Sequence, residues 1–387
     1  MIELNKQIYT ETINFIKSLY PDNKTIPLHA PLFIGNEKKY LENCIDSTFV
    51  SYLGQYVTQF EEVIKDYTGA RNAIAFVNGT SALHVALLTF GIGQNDEVLT
   101  QALTFVGTVN AIKYCNANPI FIDSEKETLG MSSEKLEEFF VNNTYLDENG
   151  ICHNKLTKRP IKACVPVHVF GHPARIDNIK KICDKNNIVV IEDAAESLGS
   201  KYKGKHTGTF GKMSILSFNG NKIITTGGGG MILTDDDSLA AQVRHISTTA
   251  KKKHSWEFIH DQVGYNYRMT NVNAAIGCAQ MEHLDKFIEN KRELAGIYEQ
   301  FFASKGIEFF KEKKDSFSNY WLNVIFMENI EERDAFLSLS NRNNVITRPA
   351  WQLMNKLPIF SQYETTNLDT AEWLADRIVN IPSSVRL

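Results

Sequence analysis

Between residues 73 and 191 the chain alternates short apolar runs with segments of helical periodicity, and that alternation narrows its possible folds more than any other feature. Residues 73–77, 96–101, 119–122, 162–169 and 187–191 read as strands. Residues 81–90 (closed by Gly91), 106–114, 133–140 and 176–185 read as the helices between them. Consecutive strands joined by helical crossovers predict an α/β domain around a buried, mostly parallel sheet. Ligands of such sheets collect at the carboxyl ends of the strands.

The flanks read differently. Residues 5–20 carry Ile8, Ile13, Ile16 and Leu19 on one helical face, ended by Pro21 and Pro27. Residues 54–67 carry Val57, Phe60, Val63 and Ile64 at the same spacing. Residues 142–160 are polar and irregular, which predicts an inserted loop or hairpin. Beyond about residue 250 longer helices (271–301) and scattered short strands replace the alternation. The predicted division is an N-terminal helical extension (1–26), a large domain (27–250) and a smaller C-terminal α/β domain (251–387), and 387 residues suffice for two cores.

Composition excludes several function classes. A net charge of −4 leaves no electrostatic footprint for nucleic acid or an anionic membrane, and Lys251–Lys253 read as a solvated loop. No apolar run is long enough for a membrane span, and the opening Met-Ile-Glu-Leu-Asn-Lys-Gln does not resemble a secretory signal. Six cysteines without paired spacing read as reduced thiols, so a cytoplasmic protein is expected. His168 and His172 flank a strand-to-turn transition at Phe170-Gly171 and lack helical spacing and further ligands, so no metal is expected.

The chemistry concentrates at strand ends. Gly79-Thr80-Ser81 follows the first strand and opens a helix, where backbone N–H groups and hydroxyls make an anion cradle; the same tripeptide also serves as an ordinary helix cap. Thr104-Phe105-Val106-Gly107-Thr108 places an aromatic ring after the next strand. Val190-Ile191-Glu192-Asp193-Ala194-Ala195-Glu196 ends an apolar strand in carboxylates, and a buried carboxylate such as Asp193 requires a partner. Lys222 stands in Ser217-Phe218-Asn219-Gly220-Asn221-Lys222, after a strand end (214–218) and before the glycines 227–230. An amine there can form a Schiff base with a carbonyl cofactor whose ring nitrogen Asp193 holds protonated, a pairing that suggests pyridoxal phosphate.

In this order, and together with Gly264-Tyr265-Asn266-Tyr267-Arg268-Met269, these motifs resemble the nucleotide-sugar aminotransferases of the DegT/DnrJ/EryC1/StrS family from about Pro27 to the C-terminus. The N-terminal helix and Asn219-Gly220-Asn221 look most similar to the subgroup acting in legionaminic acid biosynthesis. The resemblance implies the fold-type I (aspartate aminotransferase-like) architecture of pyridoxal phosphate enzymes. It implies Lys222 as the Schiff-base lysine, Asp193 as the ring-nitrogen partner, Gly79, Thr80, Ser81 and Ser217 around the phosphate, and Phe105 stacked on the ring. Glu196 stands where the family often has glutamine near the ring hydroxyl, and Gly228 where many members have glutamate. Asn266 resembles the asparagine that reaches the phosphate from a second subunit, which implies a homodimer with shared sites.

The implied reaction is transamination of a nucleotide-linked 4-keto-6-deoxy sugar, UDP- or GDP-linked and N-acetylated, with glutamate as donor, giving a 4-amino sugar for surface glycans. A 3-keto sugar is the alternative position. A sugar dehydratase or a regulatory protein on the same fold are the alternative roles, and dehydratases of this family carry histidine where Lys222 stands. His168, Arg268 and Arg348 are candidate contacts for the nucleotide-linked substrate, each equally explicable as a structural ion-pair or capping residue.

Overall fold

The computed structural model describes residues 2–387, with side chains from Gln7 onward. Its central sheet has seven strands: β1 (Asn72–Phe76), β2 (Glu97–Gln101), β3 (Asn118–Ile122), β4 (Ile161–Val165), β5 (Val189–Asp193), β6 (Met213–Ser217) and β7 (Gly230–Thr234). Their order across the sheet is β1-β7-β6-β5-β4-β2-β3. The five strands from β6 to β3 run parallel. β7 is antiparallel to both of its neighbours, which returns β1 to the direction of the other five. The fold class is the α/β one that the alternation predicts.

Among the described residues, twelve α-helices surround this sheet and a smaller one. They are α1 (Ile2–Leu19), α2 (Glu37–Asp46), α3 (Gln55–Thr68), α4 (Gly79–Thr89), α5 (Val106–Tyr114) and α6 (Ser133–Asn143), then α7 (Ile176–Lys185), α8 (Asp237–Ser247), α9 (Asn271–Met281), α10 (Leu284–Lys305), α11 (Ile330–Arg342) and α12 (Asp369–Arg377). Strand periodicity decides which residues face which layer. Ala73 and Ala75 of β1 pack with Phe60 of α3 and Ala274 of α9, whereas Ile74 and Phe76 pack with Leu83 of α4 and Val243 of α8. Both faces are covered, so the strands read as continuous apolar runs.

The smaller sheet comprises β8 (Glu308–Phe309), β9 (Asn323–Phe326), β10 (Arg348–Pro349) and β11 (Ile378–Ile381), antiparallel in the order β8-β9-β11-β10. The two sheets lie on either side of residue 250. α1 joins the C-terminal core: Tyr9, Ile13 and Ile16 pack with Leu294, Tyr298, Phe302 and Phe336. α9 packs back toward the large sheet, so tightly that a Cβ on Gly277 would stand 2.7 Å from Phe60 Cε2.

Several elements depart from the sequence pattern, each for a local reason. α2 buries only Glu37 and Cys44 and so shows no apolar stripe. β7 follows a glycine run that reads as a turn. The strand expected over 162–169 stops at Val165, before Pro166, which has no N–H to give a ladder; the chain then turns sharply at Phe170 (φ 55°) and Gly171 (φ 94°). A Cβ on Gly171 would lie 1.9 Å from Asn319 Oδ1. The helices expected over 271–301 are α9 and α10, which break at Glu282-His283, and α10 runs on to Lys305. Residues 144–154 do form a hairpin, pairing Thr144–Leu146 with Cys152–Asn154. Among the described residues no helix is long and apolar enough to cross a membrane.

Lys291 of α10 is fully buried and donates to the carbonyl of Ser383. Burial pushes its pKa down from 10.5 to about 7. Between about pH 7 and 10 the unfolded chain therefore binds more protons, so stability rises with pH through that window and is lost as pH falls through 7. Lys291→Met removes this titration, while its loss of the Ser383 hydrogen bond is a constant offset. The stability of the variant relative to wild type, from urea unfolding, is expected to fall by roughly 2–3 kcal/mol between pH 7 and 9. A difference independent of pH contradicts a buried, neutralised lysine.

Candidate active site

The carboxyl ends of β1, β2, β5 and β6 open on one cavity of about 410 Å³, at the edge where parallel sheets bind ligands. After β1, Asn78 caps α4 by accepting the Ser81 N–H at 2.7 Å, and Gly79 and Thr80 line the cavity. A helix start of this kind presents unpaired N–H groups and the positive end of the helix dipole. Ser217, at the end of β6, stands on the same wall, and a Cβ on Gly79 would come 3.2 Å from its Cβ. The glycine run passes beneath. A Cβ on Gly230 would stand 2.4 Å from the Asn78 carbonyl carbon and 2.6 Å from the Gly79 nitrogen. Only glycine lets β7 approach the cradle so closely.

The end of β5 carries three buried carboxylates with different partners. Glu192 accepts the backbone N–H groups of Gly208 (2.8 Å), Phe210 (2.7 Å) and Gly211 (2.7 Å), and lies 3.0 Å from His168 Nε2. Burial alone raises its pKa, but the His168 and backbone contacts outweigh that and hold it below the usual range. Asp193 faces the cavity. Its Oδ2 accepts the Thr108 hydroxyl at 2.8 Å and its Oδ1 the Ala195 N–H at 3.1 Å. Burial pushes its pKa up, against the pull of those donors. Glu196 accepts the Phe170 N–H at 2.8 Å on Oε2, and its Oε1 is 3.1 Å from Lys222 Nζ. Burial raises its pKa too, opposed chiefly by the Lys222 charge.

Lys222 meets the C-terminal part of the chain as well. Its Nζ lies 3.9 Å from the centre of the Trp321 ring, and Trp321 Nε1 donates to the Asn221 carbonyl at 2.7 Å. Asn319, fully buried, donates to the carbonyls of Glu196 and Leu198, both at 2.9 Å. Residues 319–321 thus fasten one wall of the cavity. Trp351 lines another, with its ring 4.8 Å from Phe170 and 6.5 Å from Phe105. Phe105 is the N-cap of α5 and is 54% exposed at the cavity.

The structure brings Gly79, Thr80, Phe105, Asp193, Glu196, Ser217 and Lys222 to this one cavity. It places other candidates elsewhere. The N–H of Ser81 is committed to the Asn78 cap, and the residue does not line the cavity. His168 is fully buried behind β5; its Nδ1 accepts the Ala174 N–H at 3.1 Å, so Nε2 carries the proton and points at Glu192. Arg268 is buried against Glu61 at 2.6 Å, a carboxylate that also meets Arg244 at 2.8 Å. Arg348 lies on β10, donating to Asn341 Oδ1 and the Thr347 carbonyl. None of these three lines the cavity of its own chain, and each has a partner within the chain. Asn266 is exposed, away from the cavity of its own chain.

Thr108, Trp321 and Trp351 are among the cavity residues that the sequence does not single out. Trp321 and Trp351 come from far along the chain and carry no local motif. Thr108 stands in a quoted segment, but its hydroxyl acquires meaning only once Asp193 is seen opposite it.

Comparison with known proteins decides the family. Residues 33–387 match the model of the DegT/DnrJ/EryC1/StrS aminotransferase family. The chain belongs to that family. It is therefore an aminotransferase that uses pyridoxal phosphate. Among similar proteins are GDP-perosamine synthase of Escherichia coli O157:H7, 41% identical over 93% of each chain, and GDP-perosamine synthase of Vibrio cholerae, 36% identical over 92% of this chain and 94% of that one. The solved structure of Helicobacter pylori PseC, an aminotransferase involved in the biosynthesis of pseudoaminic acid, shares the fold with a TM-score of 0.83 at 21% identity, over 93% of this chain and 94% of that one. The cavity fits the cofactor. It offers a helix start suited to a phosphate and a lysine amine. It also holds a buried carboxylate that, among the described residues, has two neutral donors and no cation within hydrogen-bond distance.

Proposed function

We propose that this aminotransferase replaces the 4-keto group of a GDP-linked 4-keto-6-deoxy sugar with an amine, taking the amino group from glutamate, which leaves as 2-oxoglutarate. The observation that carries the reading is the convergence of Lys222 Nζ and the Asp193 carboxylate on one cavity beside the α4 N-terminus. The similarity to two GDP-perosamine synthases favours GDP over UDP as the carrier. It also favours an amino sugar of that kind over one of the legionaminic acid series. A role in surface polysaccharide synthesis, within the cytoplasm, accords with this reading.

Gly79, Thr80 and Ser217 would hold the cofactor phosphate, Phe105 would cover the ring, and Asp193 would pair with its nitrogen. When bound, the cofactor supplies a carbonyl for the amino group and a ring that draws electrons from the bond being broken. Lys222 Nζ takes the proton from the carbon that bears the amino group and delivers it at the carbon that receives one, acting as base and then as acid. Glu196, 3.1 Å away, steadies that nitrogen while it is charged, and the Trp321 ring keeps water from one side of it. The test is a panel of GDP-, UDP- and dTDP-linked 4-keto-6-deoxy sugars with glutamate. The GDP-linked sugar is expected to give the highest kcat/KM, by tenfold or more. A UDP- or dTDP-linked sugar turned over faster would overturn the carrier assignment.

We also infer that a second copy of the chain completes the site. Among the described residues, Lys222 is the one cation that lines the cavity, which is too little for a cofactor phosphate and a nucleotide diphosphate. Asn266 lies outside it, in the segment that extends β1 through the Phe76–Arg268 bridge. Exposed apolar side chains, among them Phe49, Leu53, Trp256 and Phe258, suit burial against another protomer. We read the protein as a homodimer in which Asn266 serves the partner's phosphate. Lys222→Ala and Asn266→Ala are each expected to be nearly inactive. Mixing them forms heterodimers with one site holding both native residues, and activity should return toward a quarter of wild type. Verified heterodimers without activity would assign Asn266 to its own subunit.

A further inference from the structure

Residues 104–108 join β2 to α5, and the reading above uses only one of them. Phe105 faces the cavity as the helix cap. Gly107 lets α5 begin beside α4, since a Cβ there would come within 2.9 Å of Thr80 Oγ1. The two threonines have a different relation to the site. Thr108 is buried in the first turn of α5, and its hydroxyl donates to Asp193 Oδ2 at 2.8 Å. Thr108 Oγ1 is 3.0 Å from Thr104 Oγ1. Because the single proton of Thr108 is committed to the carboxylate, Thr104 must be the donor in that contact. The two hydroxyls form a chain polarised toward Asp193, and the first turn of α5 adds the positive end of its dipole.

Asp193 depends on such help. Burial favours its neutral, protonated form. Against that stand the Thr108 hydroxyl, the Ala195 N–H and, at longer range, the Lys222 charge. A protonated Asp193 has no charge to offer a protonated ring nitrogen.

The geometry points to Thr108 as a positioning residue that keeps Asp193 ionised and aimed, so that the cofactor's ring nitrogen stays protonated across the working pH range, with Thr104 supporting it through the hydroxyl chain. No proton changes hands: Thr108 keeps its own and Asp193 keeps its charge. The inference rests on the proposed pairing of Asp193 with the ring nitrogen.

Thr108→Val removes the hydroxyl at nearly constant volume, and Thr108→Ser keeps it. The measurement is the dissociation constant of pyridoxal phosphate and the absorbance of the bound cofactor, from pH 5 to 9, in the holoenzyme. Thr108→Val is expected to move the acid limb, below which the cofactor is released, up by about one pH unit, which is about tenfold weaker binding below it. Thr108→Ser should retain the wild-type limb. In an Asp193→Asn background the added Thr108→Val change should alter affinity by less than about twofold, because the partner charge is already gone. An unmoved limb in Thr108→Val, or equal weakening in both backgrounds, would overturn the role and leave Thr108 a packing residue. Asp193→Asn with an unchanged affinity and absorbance profile would overturn both this inference and the Asp193 pairing beneath it. Loss in Asp193→Asn without a shift in Thr108→Val would overturn this inference alone.

Discussion

Burying the Asp193 carboxylate at the end of a central strand is unfavourable unless positive charge comes to meet it, and much of the surrounding structure answers that requirement. β5 is flanked by β4 and β6 in a parallel sheet, so its carboxyl end opens where several other strands also end. Thr108 and the Ala195 N–H supply neutral donors. The residues just before and after Asp193 make separate arrangements. Glu192 is saturated by the 208–211 turn and His168, and Glu196 by the Phe170 N–H and Lys222. Asp193 faces the cavity with, among the described residues, only two neutral donors within hydrogen-bond distance, whereas Glu196 beside it meets Lys222.

The same geometry explains why the two parts of the chain close on each other. Trp321 and Asn319 reach from the C-terminal part to the Asn221 carbonyl and to the backbone around Glu196. The strained turn at Phe170 and Gly171 exists where these contacts crowd, since a side chain on Gly171 would strike Asn319. Lys222, proposed above to carry the proton during turnover, thus sits between an acid from one part and an indole from the other.

The alternating pattern made the sheet legible because each parallel strand is buried on both faces and each crossover is a helix. Asp193, Lys222 and the α4 cradle were legible because they sit at strand ends, where apolar runs stop and chemistry begins. α2 was hidden because it buries too little to leave a stripe, and β7 because its glycines read as a turn although they serve close approach under Asn78. His168, Arg268 and Arg348 could not be placed from sequence, for a different reason. Their residue types suit a phosphate, but Glu192, Glu61 and Asn341 already engage them, and only three-dimensional proximity reveals those partners. Trp321 and Trp351 could not be read at all, because they reach the cavity from parts of the chain distant in sequence.

The central claim is that Asp193 holds the cofactor's ring nitrogen protonated. The most direct measurement is the ¹⁵N chemical shift of ring-labelled pyridoxal phosphate bound to the wild-type protein and to Asp193→Asn at neutral pH. The account predicts the shift of a protonated pyridine nitrogen in the wild type and of an unprotonated one in the variant. An unprotonated nitrogen in the wild type, or the same shift in both proteins, would contradict it.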